Sequence, residues 1–226
     1  MRIGAQFGAQ FGARFGARFG VIVSGRLPGL TCGGLGMAMA ETYKSNQMPA
    51  YGVERRDNAI EVRNYAPRLM AEVSVEGTQG QAVSTGFRIL AGYIFGANDG
   101  AAKLAMTTPV TQVPGETVAM TTPVVQRAQD GLWLVQFGMP AGYTRASLPR
   151  PKDRHIRLVS LPANRQAVLR FSGMAGLAAL KSHEGQLRSW IRGQALVATA
   201  GPFYYFYDPP WTLPWNRRNE VAFALD

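Results

Sequence analysis

Cysteine is nearly missing from this chain: Cys32 is the only one in 226 residues. That excludes an internal disulfide and any metal site built on several cysteines. Thr31 and Gly33 flank it with no long apolar run before it, which argues against a lipid anchor there. Histidine is almost as scarce. His155 and His183 stand apart, without the His-X-X-X-His spacing of a metal-binding helix. Acids number 14 against 24 Lys and Arg. They are scattered, and no pair has a spacing suited to acid–base catalysis. A Gly-rich phosphate loop and a Gly-X-Ser-X-Gly elbow are both missing. No stretch approaches the roughly eighteen consecutive apolar residues of a membrane-spanning helix. No run of about five Lys or Arg marks a nucleic-acid tail. What these absences leave is a non-enzymatic globular chain, with 46% hydrophobic residues to build a core.

The net charge is +10, and the first forty positions hold four of the basic residues (Arg2, Arg14, Arg18, Arg26) and no acid. From Glu41 onward 20 basic residues face 14 acidic ones, a surplus of six spread along the chain. Such a surface is either simply solvated or attractive to an anionic ligand. Residues 4–19 are four tandem copies of Gly-Ala-Gln/Arg-Phe. A Gly every fourth residue supports neither helix nor strand, so the pattern is low complexity. Three readings compete for this stretch: a poor export signal, a disordered tail, or sequence upstream of a later start at Met37, Met39 or Met48. The expectation is an extension over residues 1–48 and one ligand-binding domain over 49–226, cytoplasmic, or periplasmic if the extension exports it.

Folded sequence starts near Tyr51. Tyr51–Arg56 and Ala59–Arg63 flank Asp57-Asn58, a hairpin signal. Leu69–Glu76 alternates Leu69, Ala71, Val73 and Val75 with Met70, Glu72, Ser74 and Glu76, which predicts a strand with one face on the core. Over Gln81–Phe95 the period changes. Val83, Phe87, Leu90 and Ile94 form one helical stripe. Ala71, Val73, Val75 and Gly77 match Ala167, Leu169, Phe171 and Gly173 at a constant offset of 96. The same offset carries the first helix onto a second, with Leu177, Leu180, Leu187 and Ile191 on its apolar face. Leu132–Phe137, Phe203–Tyr207 and Glu220–Leu225 supply further strands. The pattern predicts an α+β fold with antiparallel sheet, built from two related strand–helix–strand halves.

The most distinctive feature is a repeated hexapeptide. Ala-Met-Thr-Thr-Pro-Val occurs at 105–110 and again at 119–124. Its β-branched residues suit a strand, and Pro109 and Pro123 belong at strand edges or ends, leaving nearby backbone open to a ligand. A second candidate is Phe203-Tyr-Tyr-Phe-Tyr207, followed by Asp208-Pro-Pro-Trp-Thr-Leu-Pro-Trp215 and Arg217-Arg218. Two readings fit it. Either the aromatics and guanidinium groups meet a large, flat, anionic ring, or the loop is a plug with Arg217 and Arg218 paired to Asp208 and Glu220.

The chain resembles the SOUL family of haem-binding proteins over residues 51–226. The resemblance rests on Arg88-Ile-Leu-Ala-Gly-Tyr-Ile-Phe-Gly-Ala-Asn98, both Met-Thr-Thr-Pro-Val copies, Tyr207-Asp-Pro-Pro-Trp211 and Arg217-Arg-Asn-Glu-Val221. It implies a distorted antiparallel β-barrel flanked by two helices. It also implies binding of haem or another tetrapyrrole, for buffering or transport by a chain expected to be monomeric and without nucleic acid; the alternatives are a tetrapyrrole-modifying enzyme and a sensor module for small amphipathic ligands. The porphyrin would lie between the first helix and the loop of residues 208–218. Phe87 and Ala91 would form an apolar floor, Trp211 a stacking face, and Arg88 with Arg217 a cationic rim, while the small Gly86 and Gly92 would let a flat molecule approach the helix backbone. Ser84 and Gly92 stand where haem-binding members carry basic residues, and the axial His of one branch has no counterpart here.

Overall fold

The computed structural model describes residues 42–114, 131–209 and 211–226. The Gly-Ala-Gln/Arg-Phe repeats and the second hexapeptide copy lie outside the described residues. Thr42–Tyr43 (β1) and Asn46–Gln47 (β2) pair as a small hairpin. Tyr51–Asp57 (β3) turns through Asn58 into Ile60–Tyr65 (β4). Asn58 takes φ 52°, a left-handed value that its short polar side chain tolerates. Arg68–Glu76 (β5) leads to the helix Gln79–Ile94 (α1), then Val110–Pro114 (β6) and Leu132–Gly138 (β7). Arg157–Leu161 (β8) and Asn164–Phe171 (β9) precede Leu177–Gly193 (α2), Ala198–Phe206 (β10) and Asn219–Leu225 (β11). Pro109 comes directly before β6, the strand-start position expected for a residue without an N–H.

The fold is α+β. Strands β3 to β11 form one antiparallel sheet in the order β3-β4-β9-β11-β10-β6-β7-β5-β8. The barrel implied by the resemblance is not found: among the described residues β3 and β8 remain unpaired edges, so the sheet is open. Glu54, Arg55 and Arg56 line the exposed β3 edge, and such charges discourage further strand pairing.

Both helices lie on one face of the sheet. α1 packs on β5 and β7, where Ala71, Val73, Val135 and Phe137 meet Leu90, Tyr93 and Ile94. α2 packs on β9, β10 and β11, where Leu169, Tyr204, Val221 and Phe223 meet Leu180, Leu187 and Ile191. Gly77 (φ 126°) and Gly173 (φ 103°) each turn the chain between strand and helix, a backbone shape that other residues adopt at a cost. Gln81 Oε1 accepts from the Thr78 backbone N at 3.2 Å and the Thr78 hydroxyl at 2.8 Å, which fixes the start of α1.

Two expectations shift here. The inner stripe of α1 is Ala82, Gly86, Leu90, Tyr93 and Ile94, while Val83 is half-buried and Phe87 is exposed. Gly86 explains the rotation. A Cβ there would lie 2.6 Å from Cβ of Val135, so the helix seats its smallest residue against the sheet. β5 is also not half-exposed. Met70 and Glu72 are buried as well as Ala71 and Val73: Arg157 and Gln136 cover Glu72, and the opposite face of the sheet has a core of its own. That second core gathers Met48, Tyr65, Val168, Tyr205, Tyr207 and Ala222. Residues 42–48, read from sequence as extension, reach it: Met48 is buried and the Gln47 carbonyl accepts from the Thr108 N–H at 3.0 Å.

Candidate functional site

The Pro-rich loop after β10 is held at both ends. Asp208 accepts from the Tyr43 hydroxyl at 3.0 Å and from the Arg218 backbone N–H at 2.7 Å, and it pairs with Lys44. Burial opposes the Asp208 charge. Lys44, the Arg218 N–H and Tyr43 outweigh that penalty and hold its carboxyl below the ordinary range. Arg217 Nε donates to the Thr212 carbonyl at 2.7 Å, closing the loop on itself, and its terminal nitrogen lies 3.8 Å from Met174 Sδ. The Gly173 N–H donates to the Pro214 carbonyl at 2.9 Å. So braced, the loop leaves Trp211 81%, Trp215 69% and Leu213 52% exposed. An apolar group of this size on a fixed loop marks a contact surface.

The remaining residues expected at the site lie on α1. Phe87 is 37% exposed and meets Phe137 edge-on at 5.3 Å. Arg88 is exposed, and Ala91 and Gly92 are half-buried. The helix brings Phe87 beside Ala91 and Arg88 beside Gly92, each pair four residues apart. Trp211 and Arg217 lie in the same loop, where Arg217 bonds the carbonyl of Thr212, the neighbour of Trp211, and lies near Met174 ahead of α2. The expected residues thus form two groups, one on α1 and one in the loop. Gly86 is occupied by Val135 and offers no approach to a flat molecule.

Sequence reasoning missed a polar cluster in the second core. Glu220 is fully buried, and Arg63 grips it with two bonds of 2.9 and 3.0 Å. Arg218 adds two of 2.6 and 3.0 Å and the Tyr207 hydroxyl one of 2.7 Å. Arg63 Nε also donates to Glu61 at 2.7 Å and its terminal nitrogen to Tyr65 Oη at 3.1 Å. Burial opposes the charge on Glu220, but Arg63 first and then Arg218 hold its carboxyl below the ordinary range. The acid pairing expected of Arg218 is found with Glu220, while Asp208 is met by the Arg218 backbone N–H rather than by its guanidinium. The signal for this cluster was the period-two spacing of Phe203, Tyr205 and Tyr207, which turns those rings away from the helices.

A cavity on this face adjoins a second one that also reaches Leu69 and Met139 of the helix-side core. The first, about 220 Å³, includes Tyr51, Met70, Pro109, Leu134, Phe203 and Tyr205. The second, about 370 Å³, is lined by Met48, Arg68, Leu69, Thr107, Met139 and Tyr143 among others. Arg68, Pro49, Gly138 and Leu161 belong to both. The two histidines are engaged elsewhere. His183 stacks on Phe171 at 4.0 Å, and His155 Nδ1 lies 2.8 Å from Asp153. Among the described residues no group of three or more His, Cys, Asp or Glu could hold a metal. No described helix is long and apolar enough to cross a membrane.

A family model described as "SOUL heme-binding protein" matches residues 46–224. No curated protein matches the chain. Among solved structures, the fold is similar to the C-terminal domain of EcmrR, with TM-score 0.53 and 11% identity over 78% of this chain and 98% of that one. An uncharacterized conserved protein from Listeria innocua gives 0.52 and 12% identity over 75% and 93% of the two chains. A protein of the same organism described as a hydrolase gives 0.50 and 11% over 76% and 94%. At these identities the likeness is one of fold.

Proposed function

The chain belongs to the SOUL heme-binding protein family, and from that premise we propose that it binds haem or a related tetrapyrrole and buffers or carries it without altering it. The observation that carries the reading is the braced loop, which holds Trp211 and Trp215 open to solvent. Indole faces suit a flat macrocycle, and an ordered loop loses little entropy when the ligand arrives. Both cavities lie near or below the low end of ligand-pocket volumes, roughly 300–1,000 Å³. A macrocycle of four pyrrole rings is better served by an open surface. Phe87, Ala91 and Gly92 form its apolar floor, Trp211 stacks on it, and Arg88 and Arg217 meet its carboxylates.

Titration of the protein with haemin and protoporphyrin IX tests the reading. Trp211→Ala weakens binding by about 1–3 kcal/mol, the range of lost stacking and buried area. Arg217→Ala costs less, and its cost shrinks at high salt. An esterified porphyrin separates the roles of Arg217. If the substitution weakens that neutral ligand as much as haemin, Arg217 only braces the loop through Thr212. Bleaching of bound haem by a reductant would point to an enzyme instead.

On the same basis we read the two halves as related. β5 pairs with β7 and β7 with β6, while β9 pairs with β11 and β11 with β10, and the two sets meet where β6 pairs with β10. Residues 139–226 alone should then dimerise by pairing β10 with its copy; a monomer on a sizing column counts against the relation.

A further inference from the structure

We propose that the two adjoining cavities are a second ligand site, built for a small apolar molecule carrying one carboxylate. Arg68 stands where the two cavities meet. Among the described residues that line either cavity, Arg68 is the one charged side chain, and it lines both. The other walls are mainly aliphatic and aromatic: Met70, Val113, Leu134, Leu161 and the rings of Tyr51 and Tyr205. Arg68 is half-buried, and partly desolvated cations often have an acid beside them. The neighbouring arginines do, since Arg63 and Arg218 both grip Glu220. Arg68 has no carboxylate partner among the described residues. Its guanidinium lies 4.9 Å from the centre of the Tyr65 ring and donates to Asn164 Oδ1 at 3.0 Å. That bond uses one of an arginine's five N–H donors. Tyr65 and Asn164 thus fix the plane of a guanidinium whose remaining donors suit the paired oxygens of a carboxylate. The first hexapeptide copy borders the same space, with Thr107 on one cavity and Pro109 on the other. The site is separate from the porphyrin surface: none of Phe87, Arg88, Ala91, Gly92, Trp211 or Arg217 lines it.

The test is calorimetric titration of the full chain with three probes sharing one tail: decanoate, decanol and decylamine. Decanoate should bind at least about tenfold more tightly than either of the others, the scale of one charge-assisted hydrogen-bonded pair. Arg68→Gln should abolish that preference while leaving decanol affinity within about twofold, and Arg68→Lys should restore part of it. Leu161→Trp, on the wall shared by the two cavities, should weaken all three probes. Trp211→Ala should leave decanoate binding unchanged, and Arg68→Gln should leave haemin binding unchanged, so this site and the porphyrin surface fail independently. Equal affinity for the three probes overturns the proposal. So does a carboxylate preference that survives Arg68→Gln, or decanoate binding that Leu161→Trp leaves untouched. A thermal melt of each variant identifies any that does not fold, and Arg68→Lys then carries the test.

Discussion

Glu220 shows what a single residue contributes and how pH reveals it. Its carboxyl is held below the ordinary value of 4.5 despite full burial. A depressed folded value means its stabilisation is complete above the unfolded value and is lost as pH falls through the folded one. Glu54, Glu184 and Asp208 shift in the same direction. Tyrosines set the alkaline limit. Burial pushes Tyr205 up to about 12, and Tyr65 and Tyr207 are raised well above their ordinary 10.0. A raised folded value gives stability that is complete below the unfolded value and lost as pH rises through the folded one. The thermal midpoint should therefore be flat between about pH 5 and 9 and fall on both sides. Glu220→Gln leaves two buried guanidinium groups facing each other. It should cost about 3–5 kcal/mol and lower the midpoint by roughly 6–20 °C. A midpoint within about 2 °C of the parent would mean that water already screens the cluster.

At the scale of the element, α1 is the informative case. Its existence and near-complete span, Gln81–Phe95 expected against Gln79–Ile94 found, were legible in the period of the sequence. Its rotation was not. Leu90 and Ile94 face inward as expected, but Val83 and Phe87 carry more apolar weight than Ala82 and Gly86, so a reading by hydrophobicity misturns the first half of the helix. Close packing on Val135 decides otherwise, because the shortest helix-to-sheet distance needs the residue without a side chain. Gly86→Ala should cost about 1–3 kcal/mol, as overpacking does. Trimming the partner with Val135→Ala should recover part of that loss in a double-mutant cycle. If Gly86→Ala melts with the parent, α1 does not rest on Val135 at that point. The Pro-rich loop was half legible: the Arg218–Glu220 pairing was among its two readings, while the Arg217–Thr212 closure that exposes both tryptophans depends on the folded loop.

For the whole molecule, the boundary of the packed body is a measurable quantity. The four-residue Gly repeat has no periodic apolar face to bury. Removing residues 1–40 should leave the thermal midpoint within about 2 °C. Removing residues 1–48 should lower it by roughly 4–15 °C, because it deletes buried Met48 and the Tyr43 and Lys44 ties to Asp208. Equal midpoints for the two truncations would show that residues 42–48 add nothing to the body.

Read from sequence alone, most of the element order, the antiparallel α+β class, the turn at Asn58 and the family were already legible, while β1, β2 and β8 were not. The legible features follow from local backbone geometry or from a motif read in a single stretch. Tertiary structure alone decided that the sheet stays open, that Arg63 meets Glu220 across 157 positions, and that Arg68 stands between two cavities. Those facts depend on which strands become neighbours and in what register. Cross-strand pairing over long loops is set by the packing of both sheet faces at once, and no local period records it.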